Sequence, residues 1–235
     1  MGENYAADWI ALGLTLKLAL VTTVVLLLLG TPLALWLARS RWRFRFLVEA
    51  LVALPLILPP TVLGFYLLLA VSPQGWIGSI WTSIGGAPLA FSFEGLVLGS
   101  VIYSLPFVVQ PIQSAIQSVN EDLLEAAATL RATPWQRFRR IILPLAWPGF
   151  LTAIILGFAH TLGEFGVVLM IGGNIPAETR VVSIAIYDHV ESMDYAHAHF
   201  LSAVLLGTSF LMLVAVYALN GRFRPWRFSQ NRSHA

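Results

Sequence analysis

The sequence has no cysteine and little charge. Without cysteine, the chain has no disulfide, no thiolate metal site and no cysteine nucleophile. Charged residues make up 11% of the 235 positions and hydrophobic residues 57%, whereas a soluble domain carries about 25% charge. The composition therefore indicates an integral membrane protein.

Catalytic signatures are also missing. The sequence contains no P-loop, no H-E-x-x-H, no nucleophile elbow and no dinucleotide fingerprint. His197 and His199 are two positions apart, so on a helix their imidazoles point to different faces and do not form a metal site. The arginines cluster beside apolar segments, where membrane topology explains them, and nucleic-acid binding is not indicated. We therefore predict a chain that is not an enzyme and binds no cofactor itself.

Five apolar segments are long enough to cross a bilayer, which takes about 20 residues. The N-terminus carries Glu3 and Asp8 where a cleavable signal peptide has basic residues, so we expect the first segment to remain as a span. Residues 172–199 are too polar to cross. The prediction is an all-α membrane protein with one transmembrane domain, 1–235, and spans at 18–38, 46–71, 95–116, 145–165 and 200–219.

The arginines predict the orientation of these spans. They form three clusters, at 39–45, 131–140 and 222–232. With five spans, all three clusters lie on the same side of the membrane, which the positive-inside rule identifies as cytoplasmic. We therefore expect the N-terminus outside and the C-terminus inside. A sixth span would divide the clusters between the two sides.

Proline is concentrated in the second and third spans. Span two carries Pro55, Pro59 and Pro60, and span three carries Pro106 and Pro111. Each proline removes a backbone donor and bends a helix, which membranes tolerate where neighbours or cavity water satisfy the freed carbonyls. Two interpretations remain open: the bends only serve bundle packing, or they shape a path along the segment from Leu54 to Thr61.

A polar segment, 120–144, separates the third and fourth spans. Asn120 is a typical N-cap and precedes two acidic residues that suit the start of a helix. Thr133, Pro134 and Gln136 predict a second helix start with a capping box. The pattern predicts a helix, a tight turn and a helix. A charged, folded hairpin on a membrane protein favours a docking element for a partner.

This hairpin resembles the cytoplasmic loop of permease subunits of bacterial and archaeal ABC importers. The matching residues are Glu125-Ala126-Ala127, the following Ala-Thr-Leu, and Ile141-x-Leu143-Pro144. Leu123, Ala127 and Leu130 share one apolar face, and Glu125 can pair with a basic group of a partner. The hairpin is thus interpreted as a coupling helix between spans three and four. The predicted ATPase-coupling residues are Leu123, Glu125, Ala126, Ala127, Leu130, Arg131, Pro134, Leu143 and Pro144.

Arg131 departs from the family pattern, which usually has glycine at this position. Glycine would end the first helix in the left-handed conformation at low cost. Arginine in that conformation costs roughly 1 kcal/mol. Either the turn differs here, or a contact offsets the cost.

Two further segments resemble the molybdate permeases. These are 54–64, which reads LPLILPPTVLG, and the pair LGEFG at 162–166 and GNIPAETR at 173–180. Sulfate permeases share the G-E-[FY]-G and N-[IM]-P signals, so a sulfate or thiosulfate permease is the alternative. The resemblance implies a type I importer permease in the inner membrane. It also implies a permease homodimer, two copies of a cytoplasmic ABC ATPase that carry ATP and Mg, and a periplasmic oxyanion-binding protein.

Glu164 is an ionisable residue in a predicted span and hence a functional candidate. It is also the twentieth residue counted from Leu145, near the outer interface, where a carboxylate costs little, and both interpretations remain open. Because a carboxylate repels a dianion, we expect Glu164 to order a gate rather than bind substrate. The candidate path or gate residues are Pro55, Pro59, Pro60, Thr61, Gly163, Glu164, Phe165 and Gly166; the candidate binding-protein contacts are Asn174, Glu178 and Arg180.

The role of His160 and two other functional classes for the chain remain open. His160, in span four, is either a buried histidine bonded to a helix carbonyl or a polar group facing a path. A stand-alone secondary transporter would show paired repeats and ion-coupling residues within its spans. A structural membrane anchor would account for the hairpin 120–144 but not for the prolines of spans two and three.

Overall fold

The computed structural model describes the backbone of residues 2–222 and the side chains of residues 5–218. Over this range the fold is helical and contains no strand. A 3₁₀ turn, Leu54–Leu56, follows the second helix, and a π-helical turn, Phe138–Ile142, joins the seventh to the eighth. The helices are α1 Gly2–Arg39, α2 Arg45–Ala53, α3 Pro60–Val71, α4 Trp76–Ser83, α5 Phe93–Gln117, α6 Glu121–Thr129, α7 Pro134–Arg137, α8 Leu143–Leu162, α9 Gly166–Gly172, α10 Val182–Glu191 and α11 Tyr195–Arg222.

Five segments are long and apolar enough to cross a membrane, which confirms the predicted number and the all-α class. The third basic cluster lies outside the described residues, which include neither Arg224, Arg227 and Arg232 nor the side chain of Arg222. The spanning segments are Tyr5–Arg39, Pro60–Ser83, Phe93–Gln117, Pro134–Leu162 and Tyr195–Ala218.

The predicted second span, 46–71, is not one helix. α2 ends at Ala53, the chain makes the 3₁₀ turn, and α3 begins at Pro60. Pro55 and Pro59 supply no backbone donor between the two helices, whereas Pro60 occupies the first turn of α3, where no donor is needed. The segment with the length and hydropathy of a span is instead Pro60–Ser83, so α4 belongs to this segment and not to the connection between the predicted spans 46–71 and 95–116.

The largest core cluster lies between α1, α5 and α8. Leu26 and Leu37 of α1 pack there with Ile112 of α5 and Phe150 of α8, all buried. The close approach of α5 and α8 needs a small residue: a Cβ added at Gly149 would lie 2.2 Å from the Cβ of Ala115. Small residues at such crossings are typical of membrane helix pairs. The three long helices therefore form the frame against which the shorter ones pack.

α10 lies within the region 172–199 that was predicted not to cross. It has 10 residues, too few to span. Its first turn is fixed to α1, because the backbone N–H of Val182 donates to Thr15 Oγ1 at 2.8 Å. α10 is therefore a short helix held on the end of the bundle.

Candidate functional site

Both predicted helix starts in the hairpin 120–144 are confirmed. The Asn120 side chain caps α6, since its Oδ1 accepts from the N–H of Asp122 at 2.9 Å. Thr133 and Gln136 form the capping box at α7: Thr133 Oγ1 accepts from the N–H of Gln136 at 3.2 Å, and Gln136 Oε1 accepts from the N–H of Thr133 at 2.9 Å. These bonds satisfy backbone donors at both helix starts and fix the hairpin.

The turn at Arg131 keeps the left-handed geometry that glycine would allow. Arg131 has a φ of 59°. Its N–H donates to the carbonyl of Ala128 at 2.9 Å, and the N–H of Ala132 donates to that of Ala127 at 3.0 Å, the two bonds of a Schellman motif. Over residues 5–218 the Arg131 side chain makes no hydrogen bond or ion pair. The turn therefore has the geometry that glycine would give it. No hydrogen bond or ion pair of the Arg131 side chain within residues 5–218 offsets the cost of the left-handed conformation.

The hairpin presents apolar side chains to its surroundings. Leu123 is 49% exposed and Leu130 83% exposed, on the face predicted from the sequence. The base of the hairpin is fixed to the core, because Arg39 lies 3.5 Å from Glu121 and donates to the carbonyl of Ile116 at 3.1 Å. A rigid base with an exposed apolar tip is a surface suited to a partner.

The remaining residues predicted for the hairpin differ in exposure. Glu125 is exposed, and within the described side chains it has no salt bridge. Leu143 is half-buried against the core cluster, whereas Pro144 is exposed at the first turn of α8. Of the predicted coupling residues, the large exposed apolar side chains are therefore Leu123 of α6 and Leu130 at its end, and Leu143 has a packing role.

A buried polar cluster surrounds Glu164, which is 3% exposed. Two hydroxyls of α5 donate to its carboxylate: Ser100 Oγ to Oε2 at 2.5 Å and Ser104 Oγ to Oε1 at 2.8 Å. His160 Nδ1 lies 3.6 Å from Oε1 and 2.8 Å from Ser104 Oγ. Ser104 Oγ also lies 3.1 Å from Thr161 Oγ1. The carboxyl group therefore accepts two hydrogen bonds from buried hydroxyls, with His160 beside it, as a buried polar group requires.

The cluster joins the end of α8 to α5. α8 ends at Leu162, so Glu164 lies in the turn before α9. His160 bonds a serine rather than a helix carbonyl, and its ring stacks on Phe107 with centroids 3.9 Å apart. Sequence reasoning missed Ser100 and Ser104, although two hydroxyl residues four positions apart in an apolar helix mark one polar face.

A cavity of about 510 Å³ lies beside this cluster. The two segments that resemble molybdate permeases meet there, since it is lined by Pro60 and Thr61 on one side and residues 163–166 on the other. Tyr103 and His160 complete the wall. Pro55 and Pro59 do not line it: Pro55 is buried in the 3₁₀ turn and Pro59 precedes α3.

The predicted binding-protein contacts lie in the loop between α9 and α10. Asn174 Nδ2 donates to both carboxylate oxygens of Asp188, at 2.9 and 2.7 Å. Arg180 Nε donates to Asn174 Oδ1 at 2.6 Å and lies 3.5 Å from Asp188. Both side chains therefore bond to each other and to Asp188 of α10, and Glu178 is exposed. Asp188 was missed because its partner is 14 residues away and no local pattern marks it.

The described side chains contain no group of three or more His, Cys, Asp or Glu residues that could hold a metal. His197 instead contacts Asp194, with Nδ1 2.9 Å from Oδ2. This hydrogen bond lowers the pKa of the Asp194 carboxyl from its ordinary value. The pair ties the start of α11 to the preceding turn.

Comparison with known proteins places these features in a family. Residues 30–227 match the family described as binding-protein-dependent transport system inner membrane component. The chain is 58% identical to the molybdenum transport system permease protein ModB of Azotobacter vinelandii over 211 residues, 90% of this chain and 93% of that protein. It is 35% identical to a probable sulfate transport system permease protein, cysT, of Chlorella vulgaris, over 87% of this chain and 77% of that protein.

The fold is similar to that of a chain in the crystal structure of a bacterial ABC transporter involved in the import of the acidic polysaccharide alginate. The TM-score is 0.69 at 21% identity, over 93% of this chain and 79% of that chain. The match to the family covers most of the sequence. The chain belongs to the family of inner membrane components of binding-protein-dependent transport systems.

Proposed function

We propose that the chain is the permease subunit of an ATP-driven oxyanion importer and that its substrate is molybdate. The substrate is inferred from a difference in sequence identity. The chain is 58% identical to a molybdenum permease over 90% of its length, against 35% to a sulfate permease over 87%. Tungstate has the same charge and shape as molybdate and is expected to share the path. Sulfate or thiosulfate is the second candidate, supported by the 35% relative.

Uptake of radiolabelled molybdate tests the substrate. The chain is expressed with its ATPase and binding protein in cells without a molybdate importer. Unlabelled tungstate is expected to compete in this assay, and a large excess of sulfate is not. Accumulation of labelled sulfate with no molybdate uptake would establish the second candidate instead.

The translocation path is proposed to include the cavity between Pro60–Thr61 and residues 163–166. Its wall carries backbone, hydroxyl and aromatic groups, and the carboxylate of Glu164 is occupied by Ser100 and Ser104. An anion in the cavity thus meets a carboxylate whose oxygens already accept hydrogen bonds. Glu164 is proposed to hold the turn after α8 against α5 and not to bind the substrate.

The hairpin 120–144 is proposed to dock on a cytoplasmic ABC ATPase that carries ATP and Mg. Leu123 and Leu130 supply exposed apolar contacts, while Ala126 and Ala127 allow a close backbone approach. Two caps and the Schellman turn make the hairpin rigid, and Arg39 fixes its base to α1 and α5. Movement of the ATPase would then reach the spans as a rigid-body motion.

Co-purification of the ATPase tests this docking. Leu123→Asp places a charge in the apolar contact and is expected to abolish both ATPase association and uptake. Phe44→Asp is a matched control, since Phe44 is also exposed but lies outside the hairpin. Retention of the ATPase by Leu123→Asp would refute docking through α6.

The N-terminus is proposed to lie outside and the C-terminus inside. Arg39, Arg41 and Arg137 line one cavity, so the first two basic clusters lie at one end of the bundle, in agreement with that orientation. Because the chain has no cysteine, single cysteines report the topology without background. A membrane-impermeant maleimide should label Ser192→Cys in whole cells and should not label Ser118→Cys, and the reverse pattern would invert the orientation.

The partners are proposed to be a second copy of this permease, two ATPases and a periplasmic oxyanion-binding protein. The family's description, binding-protein-dependent, supports the last of these. Glu178 is exposed and makes no salt bridge within the described side chains, whereas Asn174 and Arg180 bond to each other and to Asp188 and so shape the loop that presents it. The mass of the purified complex distinguishes two permease copies from one, and Glu178→Lys is expected to weaken binding-protein association without affecting the ATPase.

A further inference from the structure

Two adjoining cavities at one end of α1 differ sharply in polarity. The first, of about 450 Å³, is lined by three arginines, Arg39, Arg41 and Arg137, and by two glutamates, Glu121 and Glu125. The second, of about 480 Å³, has an apolar wall in which the one polar residue is a threonine. The two cavities share part of their lining, so they form one groove with a basic end and an apolar end. The shared residues are Leu35, Pro134 and Phe138.

The basic end retains unused hydrogen-bond donors. Three guanidinium groups face two carboxylates there, which leaves a net charge of +1. The Nη atoms of Arg39 contact Glu121 and the Ile116 carbonyl, but its Nε is buried without a partner among the described residues, and so is the Nε of Arg137. Buried donors in native proteins are normally paired. Arginine pairs with phosphate through two parallel hydrogen bonds, so a phosphate group suits this end.

The apolar end lies along a membrane-spanning segment. Leu27, Leu28 and Pro32 belong to the segment Tyr5–Arg39, and Arg39 is its last residue. Leu28 is 68% exposed and Trp135, on the opposite wall, is 66% exposed. Tryptophan and arginine at the end of a span mark the level of the lipid headgroups. The groove therefore runs from headgroup level into the hydrocarbon layer.

We propose that this groove binds an anionic phospholipid, with its phosphate beside Arg39, Arg41 and Arg137 and one acyl chain along Leu27, Leu28 and Pro32. The net positive charge of this end and the exposed guanidinium of Arg41 select the phosphate, and the apolar continuation of the groove selects a lipid over a soluble anion. The bound lipid connects α1 to the hairpin through α6 and α7. The site does not depend on which oxyanion the permease carries.

Native mass spectrometry of the full-length chain in mild detergent tests the headgroup site. Retention of phosphatidylglycerol is compared with that of phosphatidylcholine with the same acyl chains. Arg41→Gln with Arg137→Gln is expected to lower phosphatidylglycerol retention roughly fivefold for each guanidinium removed. The matched control is Arg139→Gln with Arg140→Gln, two exposed arginines of the next turn that do not line the groove. The control is expected to retain the lipid.

Two further measurements distinguish a lipid site from a site for soluble phosphate. Thr31→Trp fills the apolar end and should lower phosphatidylglycerol retention while all three arginines remain. Glycerol 3-phosphate, a soluble phosphate, should raise the thermal stability of the chain far less than phosphatidylglycerol does. The proposal would be overturned if Arg139→Gln with Arg140→Gln lowered phosphatidylglycerol retention as much as Arg41→Gln with Arg137→Gln. It would also be overturned if glycerol 3-phosphate raised the thermal stability as much as phosphatidylglycerol does. If the double variant misfolds, Arg41→Gln alone provides the comparison, because Arg41 is exposed and makes no salt bridge within the described residues.

Discussion

Gly166 should not tolerate a methyl group, because it is the point where α9 meets the start of α3. A Cβ there would lie 2.8 Å from the Cβ of Pro60 and 3.4 Å from the backbone nitrogen of Thr61. Neither group can rotate away, since one belongs to a ring and the other to the backbone. Overpacking of this kind costs about 1–3 kcal/mol. We therefore expect Gly166→Ala to lower the free energy of unfolding by that amount.

Gly163 is the matched control for this substitution. It lies in the same motif, but the nearest atom to an added Cβ is the His160 carbonyl oxygen at 3.9 Å. Gly163→Ala should therefore leave stability close to that of the parent chain. For a chain of this size, 1 kcal/mol corresponds to a change in Tm of roughly 2–4 °C.

The assay is thermal unfolding of the purified variants in detergent, together with molybdate uptake. Gly166→Ala should lower Tm by about 2–12 °C and reduce uptake, because the displaced α3 narrows the cavity. Gly163→Ala should unfold at the Tm of the parent chain. If both variants unfold at the parent temperature, or if Gly163→Ala is the less stable one, then α3 and α9 do not meet as described.

Three further substitutions test the buried cluster, the turn and the outer loop. Glu164→Ala leaves the buried hydroxyls of Ser100 and Ser104 without their acceptor and should cost about 1–3 kcal/mol of stability, whereas Glu164→Gln keeps an acceptor and should cost less in the same unfolding assay. Arg131→Gly removes the cost of a left-handed arginine and should leave stability unchanged or raise it by up to about 1 kcal/mol, while Arg139→Gly, in the π-helical turn, should lower it by about 1 kcal/mol; equal effects would contradict the geometry of the turn. Because His197 lowers the pKa of Asp194 from 3.8, the ionised carboxylate stabilises the fold above that pH and the effect is lost as pH falls through the folded-state pKa. The Tm difference between the parent chain and Asp194→Asn should accordingly be constant near neutral pH and shrink below about pH 4.

Local signals in the sequence predicted the hairpin well. The caps at Asn120 and Thr133 depend on residues two or three positions apart, so the sequence alone contains both partners of each bond. The family pattern also identified Arg131 as the one irregular position, and its positive φ confirms that the turn is the ordinary one. Only the backbone geometry could decide between an altered turn and a left-handed arginine.

Pairings between distant residues could not be predicted from the sequence. Ser100 and Glu164 are 64 positions apart, and nothing in either segment indicates that α5 meets the end of α8. The second span was misplaced for a different reason: hydropathy counts Pro55 and Pro59 as neutral residues, whereas their missing donors break the helix between α2 and α3. The family resemblance grouped both halves of the cavity wall as one candidate path, and the fold brings Pro60 and Thr61 beside residues 163–166 but leaves Pro55 and Pro59 out of the wall.

Molybdate transport by this chain is proposed to be driven by an ATPase docked on α6. The most direct measurement is uptake of labelled molybdate into proteoliposomes that contain the permease, the ATPase and the binding protein. Uptake should require ATP, should be competed by tungstate but not by sulfate, and should be lost in Leu123→Asp. Molybdate uptake without the ATPase, or unchanged ATP-dependent uptake by Leu123→Asp, would contradict it.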